Sequence, residues 1–192
     1  DRAWLLRISV GAQFEAREYL HDDANQLTDA FFLRRLRPRL EGTVFRVLDY
    51  LFMPELGGEG KFAVYDLWVS LHLADWLQLR VGKQKVPFGL ERLQSYSNTL
   101  MVERGLPTRI APNRDLGITL FGTLFDGALQ GYLGVFNGNP DGTVNDAETD
   151  DAKDLVARVF VHPLRPTGLA AFHDLGVGGA MTWGIQRGTP GT

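Results

Sequence analysis

Cysteine is absent from the 192 residues, which excludes a disulfide framework and any thiolate metal site and suits passage through an oxidising periplasm without mispairing. No run of about 18 or more apolar residues occurs, so no transmembrane helix is expected. A membrane β-barrel stays open, because only alternate residues of its strands need be apolar. The chain starts at Asp1 in a strand-like pattern with no charged-then-apolar leader, so any secretory signal is expected to have been removed or never to have been present. Cations are in slight deficit, for a net charge of -3, and no basic stripe with interleaved aromatics is present, which argues against nucleic acid as a partner. There is no Gly-x-Ser-x-Gly elbow, no phosphate-cradling Gly-Lys-Ser/Thr loop and no His-Glu-x-x-His. His21, His72, His162 and His173 are too scattered for a ligand cluster, and the Asp-rich run 141–154 lacks EF-hand spacing and reads as a solvated loop. No cofactor, no metal and no catalytic residue is expected.

What the chain does have is period-two alternation. From Leu116 to Asn137, two alternating arms are joined by Asp126-Gly127, a tight-hairpin signal. In the first strand Leu6, Ile8, Val10, Ala12, Phe14 and Ala16 alternate with Arg7, Ser9, Gly11, Gln13, Glu15 and Arg17. That run exceeds the roughly 5–6 residues of a globular strand and suits the ~9–11 that cross a bilayer at a tilt. Trp4 and Tyr19 flank it where interfacial aromatic anchors belong. Nine strands are expected, at 5–17, 29–41, 43–52, 61–72, 76–85, 115–125, 128–138, 152–162 and 175–185. Short connections at Glu41-Gly42, Leu73-Ala74-Asp75 and Asp126-Gly127 alternate with longer ones at 18–28, 53–60, 86–114 and 139–151, as in outer-membrane barrels. The link from His162 to Asp174, with Pro163 and Pro166, is long for its side. The fold class is therefore all-β, a transmembrane antiparallel up-and-down β-barrel in a single domain. An open edge cannot sit in hydrocarbon, and single-chain bacterial barrels have even strand counts. The chain is thus expected to be the N-terminal half of a larger barrel.

Arg35, Arg37 and Arg39 share one face of the second strand, about 7 Å apart at a ~3.4 Å rise per residue. Turning them to lipid would cost roughly 2–4 kcal/mol each, so Leu36 and Leu40 face outward and the arginine ladder lines the lumen. There it offers an anion successive charged donors. The alternative is a solvated face whose arginines pair with Glu41, Asp49 or carboxylates on neighbouring strands. Strict alternation would turn Arg34 outward unless it lies near the rim or in a bulge. The segment 86–114 is too long for a passive connection. Its Arg92, Arg104, Arg109 and Arg114 would reach a constriction if it folds inward, and its many apolar residues argue for a packed loop. A lid over the barrel mouth is the plainer alternative.

The stretches Val81 to Ser95, which contains Pro87-Phe88-Gly89-Leu90-Glu91-Arg92, then Met101 to Arg104, Leu133 to Gly138 and Arg158 to Pro163 are collinear. They resemble the phosphate-selective porin O and P family of Gram-negative outer membranes. The resemblance implies a sixteen-stranded, usually trimeric porin whose third loop folds into the pore, passing phosphate or related small anions. It also implies contact with outer-membrane lipid and lipopolysaccharide. By the same resemblance, the pair Arg34-Arg35 matches a pore-lining arginine pair. Asp66 matches an acidic residue at the central anion site, Arg92 a basic one that is Lys in phosphate-specific members, and Ser95 a nearby hydroxyl donor. Arg offers a planar fork where Lys offers a point charge, which bears on phosphate preference. The expected function is an anion-preferring diffusion channel of the outer membrane. The alternatives are a general porin, an outer-membrane enzyme such as a lipid hydrolase, and a soluble β-barrel binder.

Overall fold

The computed structural model describes residues 4–20, 28–58, 62–101, 103–139, 151–167 and 172–185. His21, residues 141–150 of the Asp-rich run and residues 186–192 lie outside them. The strands are β1 (Trp4–Arg17), β2 (Ala30–Val44), β3 (Leu48–Glu55), β4 (Ala63–Ala74), β5 (Leu77–Lys85), β6 (Arg114–Leu124), β7 (Leu129–Phe136), β8 (Asp154–Val161) and β9 (Val177–Trp183). A single helical turn, α1 (Leu90–Leu93), stands in the link between β5 and β6. Each strand pairs antiparallel with its sequence neighbour, giving one nine-stranded up-and-down sheet that is open between β1 and β9 among the described residues.

Alternation separates the two faces. Ile8, Val10, Phe14, Leu67, Val69, Ile118, Leu133 and Val159 are all exposed on one of them. The other buries Arg37, Glu55, Asp66, Arg114, Asp115, Asp154 and Arg158. Its apolar core is small, Val86, Phe136 and Val156 with Phe88 packed against them. This inverts the soluble pattern. In water each large exposed aliphatic forgoes roughly 1.5–3 kcal/mol of burial, a deficit that hydrocarbon on that face removes. Trp4, 60% exposed, meets the Phe45 ring edge-on at 4.8 Å beside the β2–β3 turn, a pair suited to the membrane interface.

Two boundaries differ from the expectation. The β2–β3 turn is at residues 45–47 rather than at Glu41-Gly42. Glu41 and Gly42 are strand residues, paired with Arg7 and Leu6 on one side and with Leu51 and Tyr50 on the other. Gly42 is there for close approach: a Cβ would lie 2.0 Å from the Leu5 carbonyl oxygen. The turn itself uses non-glycine residues at positive φ, Phe45 at 51° and Arg46 at 62°, so it carries no Gly signal. Arg114, assigned to the loop by sequence, is the first residue of β6 and pairs with Lys85.

Three irregularities shift the register among the described residues; one, beside the β4–β5 turn, leaves Leu73 extra between His72 and Ala74. Between β1 and β2, Gln13 faces Arg35 and Phe14 faces Leu33, leaving Arg34 as the extra residue. Between β3 and β4, Met53 faces Asp66 and Pro54 faces Val64, leaving Tyr65 extra. Pro54 has no N–H to give the ladder, which accounts for the break at that point.

Candidate functional site: a cationic cavity on the polar face

The link 86–113 lies against the polar face. Its root is closed by Val86 N donating to Asn113 O at 2.9 Å, and the Val86, Phe136, Val156 and Phe88 cluster packs beneath it. Lys85 Nζ donates to the carbonyls of Leu93 and Gln94 at 3.0 and 2.9 Å, and Arg158 Nη1 to that of Phe88 at 2.7 Å. Inside the loop, Gly105 N donates to Glu91 at 2.9 Å and Arg104 Nη2 to Gln94 O at 3.0 Å. The apolar packing expected of the loop is met at its root, where Phe88 joins that cluster, and not along the rest of it. Leu100, Met101, Leu106 and Ile110 are exposed, and the loop is held by charged side chains that reach its carbonyls.

Between loop and wall lies a cavity of about 420 Å³ whose lining includes Arg37, Arg39, Asp66, Arg80, Lys85, Ser95, Arg104 and Arg114, with Trp68, Phe121 and Tyr132. The ladder arginines reach it, but in paired form. Arg37 Nε donates to Glu55 at 2.6 Å, Arg39 pairs with Glu41, and Arg114 forks onto both oxygens of Asp66 at 3.0 and 3.1 Å. The Tyr65 ring holds the Arg37 guanidinium at 4.3 Å and that of Arg114 at 4.6 Å. Pairing with Glu41 and a neighbouring carboxylate was the alternative reading of the ladder. Asp49 is engaged elsewhere, by His72 Nε2 at 2.7 Å and the Thr43 hydroxyl at 2.7 Å.

The other expected residues are placed as follows. Arg34, freed from strict alternation by its bulge, bridges Glu15 on β1 and Glu103 of the loop. Arg35 donates to the Gln13 side chain. Arg92 is buried inside the loop, donating to Thr108 O, and stands outside the cavity lining. Ser95 lines the cavity while its Oγ caps the turn at Ser97 N, 3.4 Å away. Arg109 is exposed and away from the cavity. Arg80, Lys85, Trp68, Tyr65 and Arg158 were missed by sequence reasoning. For Arg80 the signal was present, since Gln78, Arg80, Gly82 and Gln84 alternate with Leu77, Leu79 and Val81.

The electrostatic result is an uncompensated cation set. Among the described residues, Arg80, Lys85 and Arg104 line the cavity without a carboxylate partner. In the loop, burial and then the Arg114 cation pull the Arg92 guanidinium below its ordinary value. Burial and then Arg92 do the same to Arg104. Cations held together in this way attract an anion that relieves their repulsion.

An antiparallel sheet with an apolar outer face, a charged inner face and a loop laid over the inner face has the build of a transmembrane barrel wall. Residues 7–189 match the family described as phosphate-selective porin O and P, and the chain belongs to that family. Membership implies a β-barrel, in a family of channels that carry small anions across the Gram-negative outer membrane. Comparison with curated proteins finds no match.

Proposed function

We propose that the chain forms part of a larger barrel and works as an anion-preferring diffusion channel, with the segment 86–114 as its constriction, assembled as a homotrimer among outer-membrane lipid and lipopolysaccharide. The observation that carries the reading is the cavity set Arg80, Lys85 and Arg104, which lacks carboxylate partners among the described residues. In a narrow passage such charge concentrates anions and repels cations. The solutes are phosphate or polyphosphate-type anions. The path runs from Arg104 and Ser95 of the loop, past the Asp66–Arg114 pair and Arg37, toward Arg39. Arg92 contributes only through field, since it stands outside the cavity lining with Nη2 turned to Thr108 O. Reversal potentials of the intact protein in planar bilayers under a potassium chloride gradient test the reading. A cation-selective reversal would overturn it.

One observation favours the neighbouring reading of a general porin. The neutralised Arg37 and Arg39 offer little to a dianion beyond what they offer chloride. Block of chloride current by phosphate separates the two: submillimolar block supports a phosphate channel, and its absence a general one.

A further inference from the structure

Arg80 is held unlike the other cavity arginines. Its guanidinium carbon lies 4.0 Å from the centroid of the Trp68 ring and 4.6 Å from that of Phe121, rings supplied by the two strands that flank β5. Gly82 makes the approach possible: at φ +127°, a Cβ there would meet the Leu67 carbonyl oxygen at 2.2 Å and Trp68 Cα at 2.8 Å. Phe121 stacks in turn on Tyr132, centroids 5.8 Å apart and planes 10° apart. Arg37, Arg39 and Arg114 are each closed by a carboxylate. Arg80 has no such partner among the described residues, and its buried Nε has no hydrogen-bond acceptor.

Rings against a guanidinium strip water from its faces while its N–H fork stays in plane. A strongly hydrated dianion gains little here, since it would shed its water against one cation and three rings. A planar monoanionic carboxylate on an aromatic body fits both parts. Its oxygens meet the fork, and its ring covers apolar surface beside Trp68, Phe121 and Tyr132. We propose that this corner of the cavity is a subsite for aromatic monocarboxylates, apart from the Asp66–Arg114 pair. The proposal rests on the channel reading for its physiological use, though not for the binding itself.

The test has two arms, both on the intact protein. In planar bilayers, benzoate, acetate and inorganic phosphate are titrated against the chloride current. In detergent, the same three anions are titrated calorimetrically, which needs no conduction. Benzoate should act at concentrations about tenfold below acetate, the ring being worth ~1.4 kcal/mol. Trp68→Leu and Phe121→Leu should raise the benzoate midpoint about threefold or more beyond any change in the acetate midpoint. Arg80→Lys, which keeps the charge and loses the planar fork, should raise it about tenfold. Equal midpoints for benzoate and acetate in the unmodified protein, or a benzoate midpoint indifferent to all three substitutions, would overturn the subsite. Absence of chloride current with the calorimetric ranking intact would sink the channel reading alone.

Discussion

Replacing Asp66 with Asn isolates the role of the one carboxylate among the described residues that lines the cavity itself. Asp66 accepts from Nε and Nη2 of Arg114, and the two side chains are 7% and 5% exposed, so the pair is nearly closed to water. Losing one partner of a buried pair ordinarily costs about 3–5 kcal/mol. Here the cost should be lower, because the Asn oxygen still accepts from Nε and the Tyr65 ring still holds the guanidinium at 4.6 Å. What changes fully is charge, by one unit in the cavity. At an effective dielectric constant of about 40, a unit charge roughly 5–8 Å from an anion is worth about 1–2 kcal/mol. That is roughly five- to thirtyfold in anion binding. The assay is the phosphate concentration that halves the chloride current in planar bilayers, with heat-modifiable gel mobility as the check on folding. The midpoint should fall five- to thirtyfold on this estimate, with phosphate leaving more slowly. A folded variant with an unchanged or raised midpoint would refute the idea that Asp66 tempers the cationic site.

Much of the architecture was legible because two physical constraints act on every strand. Side chains alternate, and arginine does not face hydrocarbon cheaply. Together they identified all nine strands and put Arg35, Arg37 and Arg39 on the face opposite Leu36 and Leu40. The same rule, applied to β5, would have found Arg80. Three things lay beyond it. Bulges break the count: Arg34 turns to Glu15 and Glu103, and Tyr65 is the unpaired residue of its pair, only where a partner strand has a matching irregularity. Glycine is ambiguous, and Gly42 resembled a turn residue although it serves a close backbone approach. Ion pairing depends on register: Glu55 reaches Arg37 only because β3 returns beside β2 with Leu51 opposite Glu41. The sequence gives no sign of which carboxylate that register delivers. A ladder that looks like a row of open sites is partly neutralised, and the uncompensated charge sits on Arg80, Lys85 and Arg104 instead.

Cysteine scanning with a membrane-impermeant reagent should leave Ile8, Val10, Leu36 and Leu40 protected in the membrane and label Arg7, Arg35, Arg37 and Arg39; the opposite pattern would reverse the two faces. Arg37→Ala should lower anion over cation permeability by more than a lost cation alone, since it uncovers Glu55, and Arg37→Ala with Glu55→Ala should recover most of it. Equal reversal potentials for the single and double variants would show that the pair does not act as a unit. The loop offers the last test, because two of its tethers differ in strength. Arg34 reaches Glu103, whose side chain is 66% exposed, and such an ion pair is worth about 0–1 kcal/mol. Lys85 instead donates to two loop carbonyls, at 3.0 and 2.9 Å, and charge-assisted bonds of that kind contribute about 1.5–3 kcal/mol each. Glu103→Gln should therefore shift the loop's population by no more than about fivefold, read as slightly noisier open-channel current. Lys85→Met, which removes both donors and keeps the stem, should raise mean conductance and expose the loop to protease. If Glu103→Gln loosened the loop more than Lys85→Met, the loop would be held by its tip and not by the bonds at Leu93 and Gln94, and the account of how the wall positions it would fail.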